Sequence, residues 1–315
     1  MKKTSGTKWL IIILLILVVV FLLNHFFGDD GTRSDDFKGS IGSKFDAKEV
    51  TRLYVSNPDT EIRIEREGTQ WVLVIRDDKR VPARVERVSE SLDLLGKMKL
   101  DQLVSRKKED WNKFRVDSLG TRVEAYAGDK KVFDIVLGST EYGQNSTYIY
   151  LRNPSDDKTY TLRNIYLHDF FQSPDSYRLN QLSKIEPDSV ESFSLRSKFY
   201  GDYTLRRSGE DEDGVPVWKI GSEKAELVRV DAYLESLEYL SSSKYDDEFV
   251  PPITVDETLI IKERGDISTT LKAYQIDTAS WIVNSSFNES SFFRDKKLRE
   301  DIFKSKDYFL NKSAK

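Results

Sequence analysis

Histidine, cysteine and paired carboxylates most often do chemistry in proteins, and this chain is short of the first two. It has no cysteine and two histidines among 315 residues. Zero cysteines exclude disulfides, thiolate nucleophiles and cysteine-based zinc sites. His168, in Tyr166-Leu-His-Asp-Phe170, has Asp169 beside it. A general base needs an orienting carboxylate within hydrogen-bond reach. Adjacent residues rarely point at one another, so His168 reads as a surface or structural residue. His25 falls at the end of an apolar run. No HExxH, GxSxG, SxxK, Walker A or EF-hand pattern occurs, and no cofactor is expected. Glu109-Asp110 and Asp246-Asp247-Glu248 offer the paired carboxylates that a glycan hydrolase needs. With 53 acidic residues, such pairs read first as solvated charge.

Binding chemistry has one better candidate. In Tyr148-Ile-Tyr-Leu-Arg152 a period of two puts Ile149 and Leu151 on one face and Tyr148, Tyr150 and Arg152 on the other. With the aliphatic pair turned to the core, an outward Tyr/Tyr/Arg face suits a glycan or a protein partner. The alternative is cross-strand tyrosine pairing on a solvated sheet.

The elements that would carry these residues read as α+β. Val50–Val55, Glu61–Arg66 and Gln70–Arg76 are predicted strands, the last two a hairpin bearing Trp71. A helix is expected from Pro82 to Gly96, with Val85, Val88, Leu92 and Leu95 in one stripe that Met98 continues. Strands follow at Lys99–Ser105, Arg122–Tyr126, Lys131–Leu137, Thr147–Leu151 and Thr159–Leu162, then a short helix at Ile165–Gln172.

The order then begins again. Val190–Leu195 repeats the spacing of Val50, Leu53 and Val55 at an offset of 140, and Trp218 takes the place of Trp71. A second helix carries Leu227, Val230, Leu234, Leu237 and Leu240, each 142 positions after its counterpart. The acidic turn from Glu210 to Gly214 lengthens the second hairpin. Strands at Thr258–Lys262, Ser268–Tyr274 and Ser280–Val283 and a helix at Asp295–Phe303 complete the chain. Two tandem similar units are expected, 47–185 and 186–315, each a mainly antiparallel sheet with one packed helix.

Ahead of them, Trp9–Leu23 runs fifteen residues without a polar side chain, and Phe26 and Phe27 extend it. The nineteen positions cover about 28 Å as a helix, close to a bilayer core. The run is too long, and its end too bulky, for a cleaved signal. Residues 1–27 therefore read as a cytoplasmic tip and single-pass anchor, and 28–46 as a flexible tether. Lys2, Lys3 and Lys8 place the N-terminus inside and the rest outside the cytoplasmic membrane. The formal net charge is −4, and taking those three lysines away leaves −7. Neither nucleic acid nor anionic headgroups are then expected to attract the ectodomain.

The order of features resembles a bacterial family of membrane-tethered proteins containing a domain of unknown function. The residues that carry the likeness are the anchor, the Val50–Val55 strand, Trp71, the Arg84–Leu95 helix, Phe114-Arg-Val-Asp117 and Val136-Leu-Gly138. Tyr148–Arg152 and Ser176-Tyr-Arg-Leu-Asn-Gln-Leu182 continue it. Members are often encoded beside gliding-motility-type ABC transporter components. The resemblance implies an envelope protein working near such an apparatus, with transporter subunits or another envelope protein as partner, and brings no catalytic residues. Two function classes follow: a non-enzymatic binding accessory, or an envelope glycan hydrolase with paired carboxylates.

Overall fold

A computed structural model of the protein describes residues 46–142, 147–163, 171 and 173–312. The expected anchor and tether, His25, His168 and the helix expected at Ile165–Gln172 lie wholly or largely outside the described residues. Among those described, no helix is long and apolar enough to cross a membrane.

The chain forms two antiparallel sheets, each with its own buried core. The first comprises β1 (Arg52–Ser56), β2 (Glu61–Glu67), β3 (Gln70–Arg76), β4 (Lys79–Pro82), β5 (Leu103–Ser105) and β6 (Thr121–Ala127). It is completed by β7 (Lys130–Tyr142), β8 (Thr147–Asn153) and β9 (Lys158–Arg163), in the spatial order β4-β3-β2-β1-β6-β7-β8-β9-β5. The second comprises β10 (Val190–Ser197), β11 (Tyr203–Glu210), β12 (Pro216–Ile220) and β13 (Glu223–Lys224). With β14 (Glu257–Glu263), β15 (Ile267–Gln275), β16 (Trp281–Ser285) and β17 (Asn288–Arg294), it runs β13-β12-β11-β10-β14-β15-β16-β17. Apart from β5, the two orders match strand for strand.

Alternation decides which face each strand buries. Leu53, Val55, Ile62 and Ile64 point into the first core, and Phe193, Leu195, Leu205 and Leu259 into the second. Helix α1 (Val85–Gly96) lays Val88, Leu92 and Leu95 on the first sheet. Val85, expected in that stripe, is 49% exposed at the first position of the helix. Pro82 ends β4 opposite Val72 instead of opening the helix, a strand-end place where a missing N–H costs little. Strand β5 covers only the end of the span expected at Lys99–Ser105. Two further short helices are α2 (Trp111–Phe114) and, after the long α3 (Leu227–Glu238), α4 (Lys296–Ile302); α5 (Lys306–Phe309) follows.

The helices enter alike. Ala83 N donates to Trp71 O and Ala225 N to Trp218 O, both at 2.9 Å or less. One residue on, Arg84 N donates to Tyr177 O and Glu226 N to Phe309 O. Leu92 and Leu234 are both almost wholly buried at equivalent points. Leu92→Ala and Leu234→Ala should each cost about 2–5 kcal/mol in urea melts. A near-neutral result at one of them would mean that the two helices do not do the same work.

Between the sheets, Ser173–Ile185 is a connector tied to both. Tyr177 Oη shares a 2.8 Å hydrogen bond with Ser91 Oγ on α1, and Leu179 N donates to Pro82 O. On the other side Leu182 N donates to Leu240 O, and Asn288 Nδ2 donates to Leu179 O at 2.7 Å. Arg178, at its centre, has no solvent exposure.

Candidate functional site

The site grows from one chain reversal. Helix α2 ends with Arg115 in the left-handed region (φ 54°), which turns Phe114 and Val116 onto the outward face of β7 and β8. Phe114, Val116 and Val136 form a small second core there, with Trp111 and Tyr150 against it. The approach is so close that a Cβ on Gly138 would sit 2.2 Å from Phe114 O. One on Gly120 would sit 2.7 Å from Arg115 O. Only glycine fits at either point.

Beside this joint lie two cavities. One, of about 740 Å³, runs between the Asn57–Thr60 turn, Arg115 and Leu119, and Gly138–Thr140 of β7. The other, of about 540 Å³, is lined by Trp111, Asp117, Arg122 and Arg152 and shares Asn57, Pro58 and Gly120 with the first. Both volumes suit a small ligand or an inserted side chain. Asn57 Oδ1 accepts from Asp59 N and Thr60 N, which fixes the turn. The Thr140 hydroxyl and Trp111 Nε1 are buried without a hydrogen-bond partner. Arg115 is exposed, and among the described residues no carboxylate pairs with it.

The second sheet shows what the larger cavity replaces. Val55 pairs with Val123, and Leu195 with Leu259, in the corresponding strands. Two residues along, the first sheet has Asn57 and Thr121, whose side chains approach to 3.5 Å. The second has Ser197 and Glu257, and there Arg299 of α4 donates to Glu257 at 2.6 and 2.9 Å. One unit closes this end with a buried ion pair. The other leaves a cavity.

Tyr148, Tyr150 and Arg152 take the outward face that their spacing predicts, since Ile149 and Leu151 are buried. They do not form an open patch. Tyr150 lies under Phe114, ring centroids 4.6 Å apart. Burial and a hydrogen bond to Glu141 push its hydroxyl up to about 12. Arg152 stacks over Trp111 at 4.2 Å and donates through Nε to Val116 O at 2.8 Å. Tyr148 lies under the Arg163 guanidinium at 5.3 Å. Of the three, Arg152 lines a cavity.

Most carboxylates of these runs are taken up by other partners. Asp246 pairs with Arg294, Asp247 with Arg178 and Lys79, and Glu248 with Arg76. Asp110 accepts from Ser105 Oγ at 2.5 Å. Among the described residues no group of three His, Asp or Glu side chains is placed to hold a metal ion. Arg115, Asn57 and Thr140 escape sequence reasoning. The usable signal was Gly120 just before β6 and Gly138 inside β7, where a strand interior otherwise has no reason to carry glycine.

A family model described as a domain of unknown function (DUF4340) matches residues 71–257. The chain belongs to that family. No curated protein and no solved structure matches the chain. The DUF4340 span takes in the Gly120–Gly138 joint, the connector and Asp247. The motif residues Phe114–Asp117 and Val136–Gly138 therefore meet at one joint, and Ser176–Leu182 forms most of the link between sheets.

Proposed function

We propose that this protein is a membrane-tethered, extracytoplasmic binding accessory built from two tandem similar units. On this reading the apolar Trp9–Leu23 segment anchors it in the cytoplasmic membrane, N-terminus inside, and the described residues work in the periplasm or outside. The resemblance to proteins encoded beside gliding-motility-type ABC transporters points to a transporter component or its cargo as partner. The observation that carries the binding part of the reading is the roughly 740 Å³ cavity lined by the exposed Arg115, which has no ion-pair partner among the described residues. Its walls offer turn backbone, hydroxyls, the Asp59 carboxylate and the Arg115 guanidinium, which is equipment for holding a side chain or terminus. Arginine carries a disproportionate share of interface energy.

A photoreactive residue at the exposed Leu119 tests this in native membranes. It should crosslink to a defined envelope protein, and Arg115→Glu should abolish the adduct without moving the melting temperature. Crosslinking indifferent to Arg115→Glu would reject the groove. A single Asp59 or Asp117 substitution that stops glycan turnover by a still-folded protein would reject the accessory reading altogether.

A further inference from the structure

The outward face of the second sheet is unlike that of the first. Strand register places Lys224, Lys219, Arg206, Ser192 and Lys262 directly opposite one another on five adjacent strands. At about 4.8 Å per strand the row is about 19 Å long. All five side chains leave the face opposite the core, since Phe193, Trp218 and Ile261 beside them are buried. Another row, four residues along each strand, adds Arg196 and Lys272 on either side of Thr258. Between the rows lie Thr204, Ser194, Ile260 and Thr270. Among the paired residues neither row contains an acidic side chain, although Asp202 lines a cavity of about 510 Å³ with Arg206 and Lys219, and none of the six cations has an ion-pair partner among the described residues. Glu191 and Glu210 stand at the rim, in a cavity of about 550 Å³ that Arg206 and Lys262 share, and Glu210 is taken by Arg207.

Like charges placed directly opposite on neighbouring strands destabilise a sheet. The first sheet avoids this: Arg80 meets Glu65 and Glu67, and Arg122 and Lys131 meet Glu124 and Asp134. Six cations without ion-pair partners on one face of an acidic chain favour a negative ligand there.

The same face carries an apolar edge. Phe249 packs on Tyr274 and Phe292 at 5.3 and 5.2 Å, and Tyr274 follows Lys272 by two on the same side of β15. Phe249 thus seats Val250-Pro-Pro-Ile253 at the border of the cationic rows, with Val250 83% and Ile253 fully exposed. Cations beside a free apolar loop are what a peripheral membrane surface presents, joining attraction to anionic headgroups with insertion of apolar side chains. An acidic protein would also match the charge, but the loop's exposure beside the cations favours insertion at a lipid surface.

We propose that this face docks on anionic phospholipid, so that the protein lies against the membrane that tethers it. The proposal rests on the tether reading above, and it reverses the expectation drawn from net charge. Net charge sums the molecule, while headgroups within a Debye length of about 8–10 Å meet only the nearest face.

The test uses the full chain reconstituted in vesicles, with lysine acetylation read by mass spectrometry. Flotation with phosphatidylcholine vesicles reads the tether by itself, and failure there refutes the tether whatever the lysines report. In vesicles containing phosphatidylglycerol, Lys219, Lys224 and Lys262 should become roughly tenfold less reactive, as expected for several basic residues at an anionic surface. Exposed Lys107 on the first unit should not change. Salt at about 1 M, where the Debye length is about 3 Å, should restore reactivity. In the triple variant R206E/K219E/K262E the remaining reporter, Lys224, should lose its protection while the melting temperature holds. Equal reactivity in the two vesicle types would overturn the proposal. So would protection by soluble polyglutamate on phosphatidylcholine vesicles without protection by phosphatidylglycerol, which would assign the face to an acidic protein.

Discussion

Asp247→Ala should destabilise the protein by about 3–5 kcal/mol, the range for removing one partner of a buried ion pair. Arg178 is fully buried, and its Nη1 and Nη2 each donate to one Asp247 oxygen at 2.9 Å. Its remaining contacts are poor substitutes: Ser291 Oγ at 3.4 Å and the Tyr245 ring at 3.7 Å. Lys79 of β4 binds the same carboxylate at 2.9 Å and in the alanine variant would keep only its bond to the backbone oxygen of residue 247, so Arg178 is the cation left uncompensated. The expected readout is a lower urea midpoint. Replacing the pair together, as Arg178→Met with Asp247→Leu, should recover most of the loss. If Asp247→Ala were near neutral, Arg178 would have another partner and the account of this link would be wrong.

The same group sets an acid response. Burial pushes the Asp247 carboxyl up, but hydrogen bonds and charge from Arg178 and Lys79 outweigh it and hold the group below the usual carboxylate range. A depressed folded value means the stabilisation is complete above the unfolded carboxylate pKa of about 3.9 and fades as pH falls through the folded value. The native protein should therefore lose stability below about pH 4. Asp247→Ala should show a shallower acid limb.

The second large effect is expected at Glu257→Ala, again about 3–5 kcal/mol. Glu257 and Arg299 are both buried, and Ser197 Oγ donates a third hydrogen bond to the carboxylate at 2.7 Å. Arg299 would keep the Tyr200 hydroxyl at 3.2 Å and the Trp281 ring at 4.5 Å, so its loss should fall below that of Asp247→Ala. Thermal melts of the two variants side by side decide the ranking. An Asp247→Ala protein more stable than Glu257→Ala would show that the aromatic contacts offset little.

What could be read in advance followed physical signal strength. The stripe Val88, Leu92, Leu95 is long and periodic, and it packs as its spacing implies. Strand β4 is four residues with two cations and a proline, too short for alternation to register. Strand β17 was hidden for a different reason. Asn288 and Ser291 are buried polar residues, and Asn288 donates to the connector, so hydrophobic patterning cannot mark that strand. For Tyr148–Arg152 the parity was legible and the cover was not. Trp111 and Val116 come from about forty residues upstream, and their approach depends on Gly138. The cationic rows were invisible because register, not sequence, brings Lys219 and Lys262 to one face.

Strand β1 sits inside the first sheet, with β2 on one side and β6 on the other, each paired along all five of its residues. Tension arriving along the chain from before Asp46 reaches this interior strand first. Such a load is borne in shear, with both ladders resisting at once, whereas an edge strand would peel away one hydrogen bond at a time. Forced unfolding is governed by the height of the unfolding barrier, and a shear geometry raises it. Pulled from its N-terminal side, the first unit is expected to resist at two ladders at once, and force spectroscopy on the protein checks it against an edge-strand unit.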